Sequence, residues 1–147
     1  MSFENMRIFG YLLQTASQDF FYHVHQSLQP FNITPVQLGI LQRLWQGEGI
    51  TQKELATFLI KEQSNLAKMI DKLEQMDYIQ RQAHPTDRRA HLIFLTQRGK
   101  EIEATMTEML SQLNEQLLSG LTKEECAVFQ KSLRTIISNS QKIAPNP

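Results

Sequence analysis

A chain of 147 residues, 41% hydrophobic and 20% charged, is long enough to bury its own core and too apolar for a disordered segment. Fifteen Lys and Arg balance fifteen Asp and Glu, and a formal charge of zero argues, taken alone, against a polyanionic partner. A single cysteine, Cys126, excludes an internal disulfide framework or a multi-cysteine zinc site, while the lack of any membrane-length apolar run or signal-peptide start leads us to expect a cytoplasmic protein with no membrane partner.

Residues 4–29 place Met6, Phe9, Leu12, Leu13, Ala16, Phe20, Val24 and Leu28 mostly three or four apart, which predicts a long amphipathic helix ended by Pro30. Thr34, Pro35 and Gln37 supply an N-cap, a first-turn proline and a capping-box partner. The helix they open carries Leu38, Leu41, Leu44 and Trp45, and Gly47 and Gly49 stop it. Thr51 and Glu54 form a second capping box, for a short helix with Leu55, Ala56 and Leu59 inward. After a break at 60–62, a helix over 62–76 buries Leu66, Met69, Ile70, Leu73 and Met76. Turning about 100° per residue puts Lys61, Ser64, Lys68, Lys72 and Gln75 on its opposite face, with Asn65 on the shoulder. Asp77, where the chain leaves that helix, fits a left-handed conformation.

The texture then changes. Tyr78–Arg81 and His91–Leu95 predict a β-hairpin, and residues 83–90 between them form a turn-rich basic tip. Thr96 can cap a helix over 97–119 that carries Ile102, Met106, Met109, Leu110, Leu113 and Leu117. Gly120 breaks it. Thr122 and Glu125 make a third capping box, opening a last helix with Val128, Phe129, Leu133, Ile136 and Ile137. The expected fold is mainly α with a small β-wing.

Charge is not spread evenly over these elements. Residues 1–60 hold three bases and four acids, residues 61–100 eight and five, and residues 101–147 four and six, giving −1, +3 and −2. The positive third coincides with the polar-faced helix and the hairpin. A helix, a tight break, a polar-faced helix and a basic hairpin, in that order, make a winged helix-turn-helix. Such a unit offers short polar and basic side chains to base edges in the major groove, while its inner face anchors in a core. Ser64, Asn65, Lys68 and Lys72 supply that face. Arg88 and Arg89 at the tip suit phosphates or a narrow minor groove.

The segments Thr51–Ala56, Leu66–Glu74, Tyr78–Arg81, Pro85–Arg89 and Leu95–Gly99 resemble the MarR (multiple antibiotic resistance regulator) family across nearly the whole chain. Asp87-x-Arg89 and Leu95-Thr96-x-x-Gly99 are the most specific marks. The resemblance implies a homodimeric transcription regulator on palindromic double-stranded DNA. In many members a small phenolic or lipophilic ligand, or oxidation of a cysteine, releases the DNA. It carries Ser64, Asn65 and Lys68 into the recognition helix and Asp87, Arg88 and Arg89 into the wing. Asp71 and Arg81 also match family positions, and Asp71, Arg81 and Asp87 read as a charge network fixing the wing to the recognition helix. Asp77 departs from the glycine usual there.

The long terminal helices carry more apolar surface than one small winged helix can cover. Two chains that intertwine these helices account for it, with Ile8, Leu12, Leu117, Leu121, Phe129, Leu133 and Ile136 at the seam. The domain reading is therefore residues 1–30 and 100–147 for dimerisation and 31–99 for DNA. A repressor is expected, with no cofactor and no metal. An alternative is a winged-helix scaffold for protein contacts without DNA binding. An enzyme is not expected: His23 and His25 lie about 200° apart around their helix, so they do not converge on a metal. His84 and His91 flank the wing, where imidazoles can meet phosphate. Cys126, beside Glu124 and Glu125, is expected to be a buried hydrophobe rather than a redox sensor. Tyr11, His23, Arg43 and Trp45 could line an effector pocket, but each fits plain core or surface better.

Overall fold

Thr34 opens a helix in the way its neighbours require. Its hydroxyl accepts from Gln37 N at 3.3 Å, and Gln37 Oε1 accepts from Thr34 N at 2.9 Å, with Pro35 in the first turn. In the computed structural model, which describes residues 3–59 and 63–143, this helix is the second of six. The order is α1 (Phe3–Leu28), a 3-10 turn (Gln29–Phe31), α2 (Pro35–Gln46), β1 (Ile50–Thr51), α3 (Gln52–Leu59), α4 (Gln63–Gln75), β2 (Ile79–Ala83), β3 (His91–Leu95), α5 (Gln97–Leu117) and α6 (Lys123–Ser140). The predicted break at 60–62 lies outside the described residues. The chain divides into two units, one ending at Leu113 and one beginning at Asn114.

The core of the first unit is aliphatic. Leu38, Ile40, Leu41 and Leu44 of α2 meet Leu55 of α3, Leu66, Ile70 and Leu73 of α4, and Ile79, Ile93 and Leu95 of the sheet. Val24 and Leu28 from the end of α1, and Met106 and Leu113 of α5, complete it. The other apolar positions predicted to line α1 stay largely outside: Met6, Phe9, Leu12, Leu13 and Phe20 are exposed in the single chain.

The sheet has three strands, in the order β1-β3-β2, all antiparallel. The predicted hairpin forms, its first strand running on through Ala83 rather than ending at Arg81, with Ile79 opposite Leu95 and Ala83 opposite His91. The third strand is not evident in the sequence. Ile50 and Thr51 pair with Ile93 and Leu92, and Gly49, at φ 78°, donates its N–H to Ile93 O at 2.8 Å. Two residues show no alternation, so periodicity cannot announce such a strand.

The exit from α4 aims the hairpin. Tyr78 N reaches back to Leu73 O and Asp77 N to Glu74 O, both at 3.0 Å. This is the Schellman pattern, and it places Asp77 at φ 60° in the left-handed position that glycine usually takes. A β-carbon is strained there. Asp77→Gly is therefore expected to raise unfolding free energy by about 0.5–1 kcal/mol, less the extra chain entropy of glycine. Urea denaturation checks this, and an unchanged midpoint would mean that the aspartate side chain compensates the strain.

In the second unit, a turn with Gly120 at φ 91° follows the end of α5. Thr122 and Glu125 then form the predicted capping box, with bonds of 2.8 and 3.1 Å. Along α6, Val128, Phe129 and Ile137 are exposed, and Cys126, Leu133 and Ile136 are half-buried. Cys126 is thus less enclosed than the sequence led us to expect.

Candidate nucleic-acid interface

Helix α4 is divided by its own periodicity. Leu66, Ile70 and Leu73 are fully buried, while Asn65, Lys68 and Lys72 are exposed on the other side. The side chains of Lys61 and Ser64 lie outside the described residues. Arg88 and Arg89 are exposed at the hairpin tip. The tip is closed by short bonds: Ala90 N donates to Asp87 O at 3.1 Å and His84 N to Ala90 O at 3.2 Å.

One arginine ties helix and hairpin together. From β2, the Arg81 guanidinium bonds both Asp71 and Glu74 on α4. Its backbone N–H adds a third bond, to Glu74 Oε1 at 3.0 Å. Glu74 was not anticipated as Arg81's second carboxylate; it lies seven residues away across the helix exit, a separation that no single-element period reveals. Asp87 sits at the tip, where its carboxylate accepts from Arg89 N at 2.9 Å and shapes the turn that carries the arginines.

A second anchor lies on the opposite edge of the sheet. Glu48 accepts from Leu95 N at 2.8 Å and from Lys100 Nζ at 2.9 Å. The Lys100 hydrogen bond, then the Leu95 N–H, hold its carboxyl below the usual range. Glu54 is lowered likewise, first by the backbone N–H of Thr51 and then by its hydroxyl, as in a closed capping box.

These pairs sharpen the charge pattern. Among the described bases of the positive third, Arg81 and Lys100 are spent on internal carboxylates and Arg98 stacks 4.8 Å over the Tyr78 ring. Lys68, Lys72, Arg88 and Arg89 are the cations left facing solvent from α4 and the tip. A groove of about 280 Å³ lies between the first turn of α3 and the hairpin, with Thr51, Lys53, Arg81, Arg89 and His91 in its walls. No group of three metal-ligating side chains comes together among the described residues.

The other histidines take local partners. The Nε2 of His25 shares a hydrogen bond with the Gln29 amide at 2.7 Å, and His23 makes an edge contact with Tyr22. His84, expected to meet phosphate, instead turns its Nδ1 into the tip. Of the residues suggested for an effector pocket, Tyr11 is exposed on α1, Arg43 lies 5.7 Å over the Phe58 ring, and Trp45 donates to Gly99 O at 2.9 Å. They do not converge.

Comparison with known proteins places this arrangement. The description of the MarR family matches residues 33–91. The multiple antibiotic resistance protein MarR of Escherichia coli (strain K12) is 27% identical over 129 residues, which are 87% of this chain and 90% of that protein. A MarR transcriptional regulator from Methanosarcina mazei Go1 superposes with a TM-score of 0.85 at 28% identity, over 94% of this chain and 99% of the other. The transcriptional repressor CouR, solved bound to a 23-mer DNA duplex, gives a TM-score of 0.84 at 28% identity, over 92% and 96% of the two chains.

Proposed function

The chain belongs to the MarR family of transcriptional regulators, and we propose that it acts as a homodimeric repressor on palindromic double-stranded operator DNA. The observation that carries this reading is the Arg81 bridge. It locks a basic hairpin to a helix whose polar face is exposed, so both approach one duplex as a rigid pair. In this reading α4 enters the major groove with Ser64, Asn65, Lys68 and Lys72, and Arg88 and Arg89 meet phosphates beside it. CouR, a repressor of the same fold, was solved on DNA, which supports the assignment.

Residues 31–99 then form the DNA-binding region, and 1–30 with 100–147 the dimerisation region. Apolar exposure supports the second chain. Ile8 is 52% and Leu12 58% exposed on α1, and Leu117, Leu121 and Phe129 are exposed in the second unit. Water-facing apolar surface on this scale marks an interface. Leu133 and Ile136 complete the proposed seam. Release by a small lipophilic or phenolic effector belongs to the same proposal. The groove beside Arg89 supports it, since an acid or phenolate lodged there would compete with DNA for that exposed cation.

The test joins a gel shift on the DNA upstream of the protein's own gene with sedimentation of the free protein. We expect two chains per particle and a site with half-sites about one helical turn apart. A monomer would overturn the dimer, and no fragment retained at low salt would return the chain to the scaffold reading.

A further inference from the structure

We propose that His84 is the positioning residue of the wing, and that its imidazole must be neutral for the tip to present Arg88 and Arg89. Nδ1 of His84 accepts from Thr86 N at 3.3 Å and from Asp87 N at 3.1 Å, and lies 3.3 Å from the Thr86 hydroxyl. The side chain thus does for this turn what an Asn or Asp carbonyl does in an Asx turn, satisfying the backbone two and three residues on. The turn it holds is the one in which Asp87 binds Arg89 N, one residue from Arg88.

A ring nitrogen that accepts from two N–H groups cannot itself carry a proton. The tip therefore requires the tautomer with hydrogen on Nε2. Protonation puts an N–H on Nδ1, facing two backbone donors, and removes both acceptor bonds. The organised tip thus needs an Nδ1 free of hydrogen. Glu54, from the first turn of α3, is the charged group that interacts with the ring through space, and Asp87, Arg88 and Arg89 belong to the turn the ring holds. Glu54 is hydrogen-bonded to Thr51, and its interaction with the ring is the weaker one. Imidazole is the ordinary side chain that changes charge between about pH 5 and 8, so the wing carries a titratable support where an amide would be indifferent.

The consequence for DNA rests on the function proposed above, so the experiment has an arm that needs no DNA. NMR of the full chain follows the His84 ring nitrogens and the Thr86 and Asp87 amides from pH 8 to 5.5. We expect the Nε2–H tautomer at pH 8, and both amide resonances moving with the midpoint of the ring. In His84→Asn the two amides should stay fixed. An Nδ1–H tautomer, or amides that ignore the ring, would overturn the proposal. In the second arm, affinity for an operator fragment is measured over the same range. The ratio of the native protein to His84→Asn should fall about tenfold on acidification, as expected when two backbone hydrogen bonds are broken. His84→Ala should bind weakly at every pH. A constant ratio would make the ring's charge irrelevant to binding, a rising one would make the ring a phosphate contact, and either would overturn the proposal. If no fragment binds at any pH, the proposed function fails and the NMR arm alone decides the role of His84.

Discussion

Gly99→Ala is expected to lower unfolding free energy by about 3 kcal/mol, at the upper end of overpacking effects. A β-carbon built at Gly99 would lie 2.0 Å from Tyr78 O, 3.0 Å from its carbonyl carbon and 3.2 Å from Leu95 Cδ2. The obstacle is backbone, and it is pinned. Tyr78 O accepts from Thr96 N at 3.1 Å, and Tyr78 N is bonded to Leu73 O. The preceding residue is the strained Asp77, whose own carbonyl accepts from Thr96 Oγ1 at 2.5 Å. Gly99 is bound in turn: its N–H donates to Thr96 Oγ1 at 3.0 Å and its carbonyl accepts from Trp45 Nε1. A methyl group there must break either the cap of α5 or the base of the wing. The glycine is needed for the absence of a β-carbon, not for its backbone angles. Thermal unfolding should shift down by roughly 10 °C. A destabilisation below about 1 kcal/mol would show that the junction opens easily.

The same junction explains what could be read from the sequence. Each capping box repeats a local rule, a Thr followed three residues on by Gln or Glu, and all three close as predicted at Thr34, Thr51 and Thr122. Asp77 was legible for the same reason, because a helix exit with little room for a β-carbon is a local event. The long-range partners were not legible. Glu74 on Arg81 and Glu48 on Leu95 and Lys100 depend on how elements meet, and no spacing along the chain encodes that. His84 is an intermediate case. Its bonds span only two and three residues, but histidine is not among the residues that turn chemistry leads one to inspect. The exposed face of α1 was legible as apolar, yet periodicity does not say whether its own chain covers it.

Removing both tip cations, Arg88→Ala with Arg89→Ala, should weaken operator binding about fiftyfold near 0.1 M salt. The reasoning begins with the cations left over. Arg81 and Lys100 are neutralised by Asp71, Glu74 and Glu48, so they add little to the attraction of a duplex. What remains on the proposed DNA face is a short set, Lys68, Lys72, Arg88 and Arg89 among the described residues, and the two tip arginines are half of it. Each phosphate that is no longer neutralised takes roughly 0.9 from the slope of log affinity against log salt, so the double variant should flatten that slope by about 1.8. The weakening should be nearly equal on specific and unrelated DNA, because phosphates carry no sequence. Lys68→Ala should behave differently, changing site preference more than the salt slope, since it stands on the exposed face of α4 proposed to meet base edges. An unchanged slope in the double variant would take the tip off the phosphate backbone. A weakening confined to A·T-rich sites would instead move an arginine into a narrow minor groove, where shape rather than charge alone sets the energy. A chain of zero net charge has few cations to spare, so its binding should be unusually sensitive to the removal of these two.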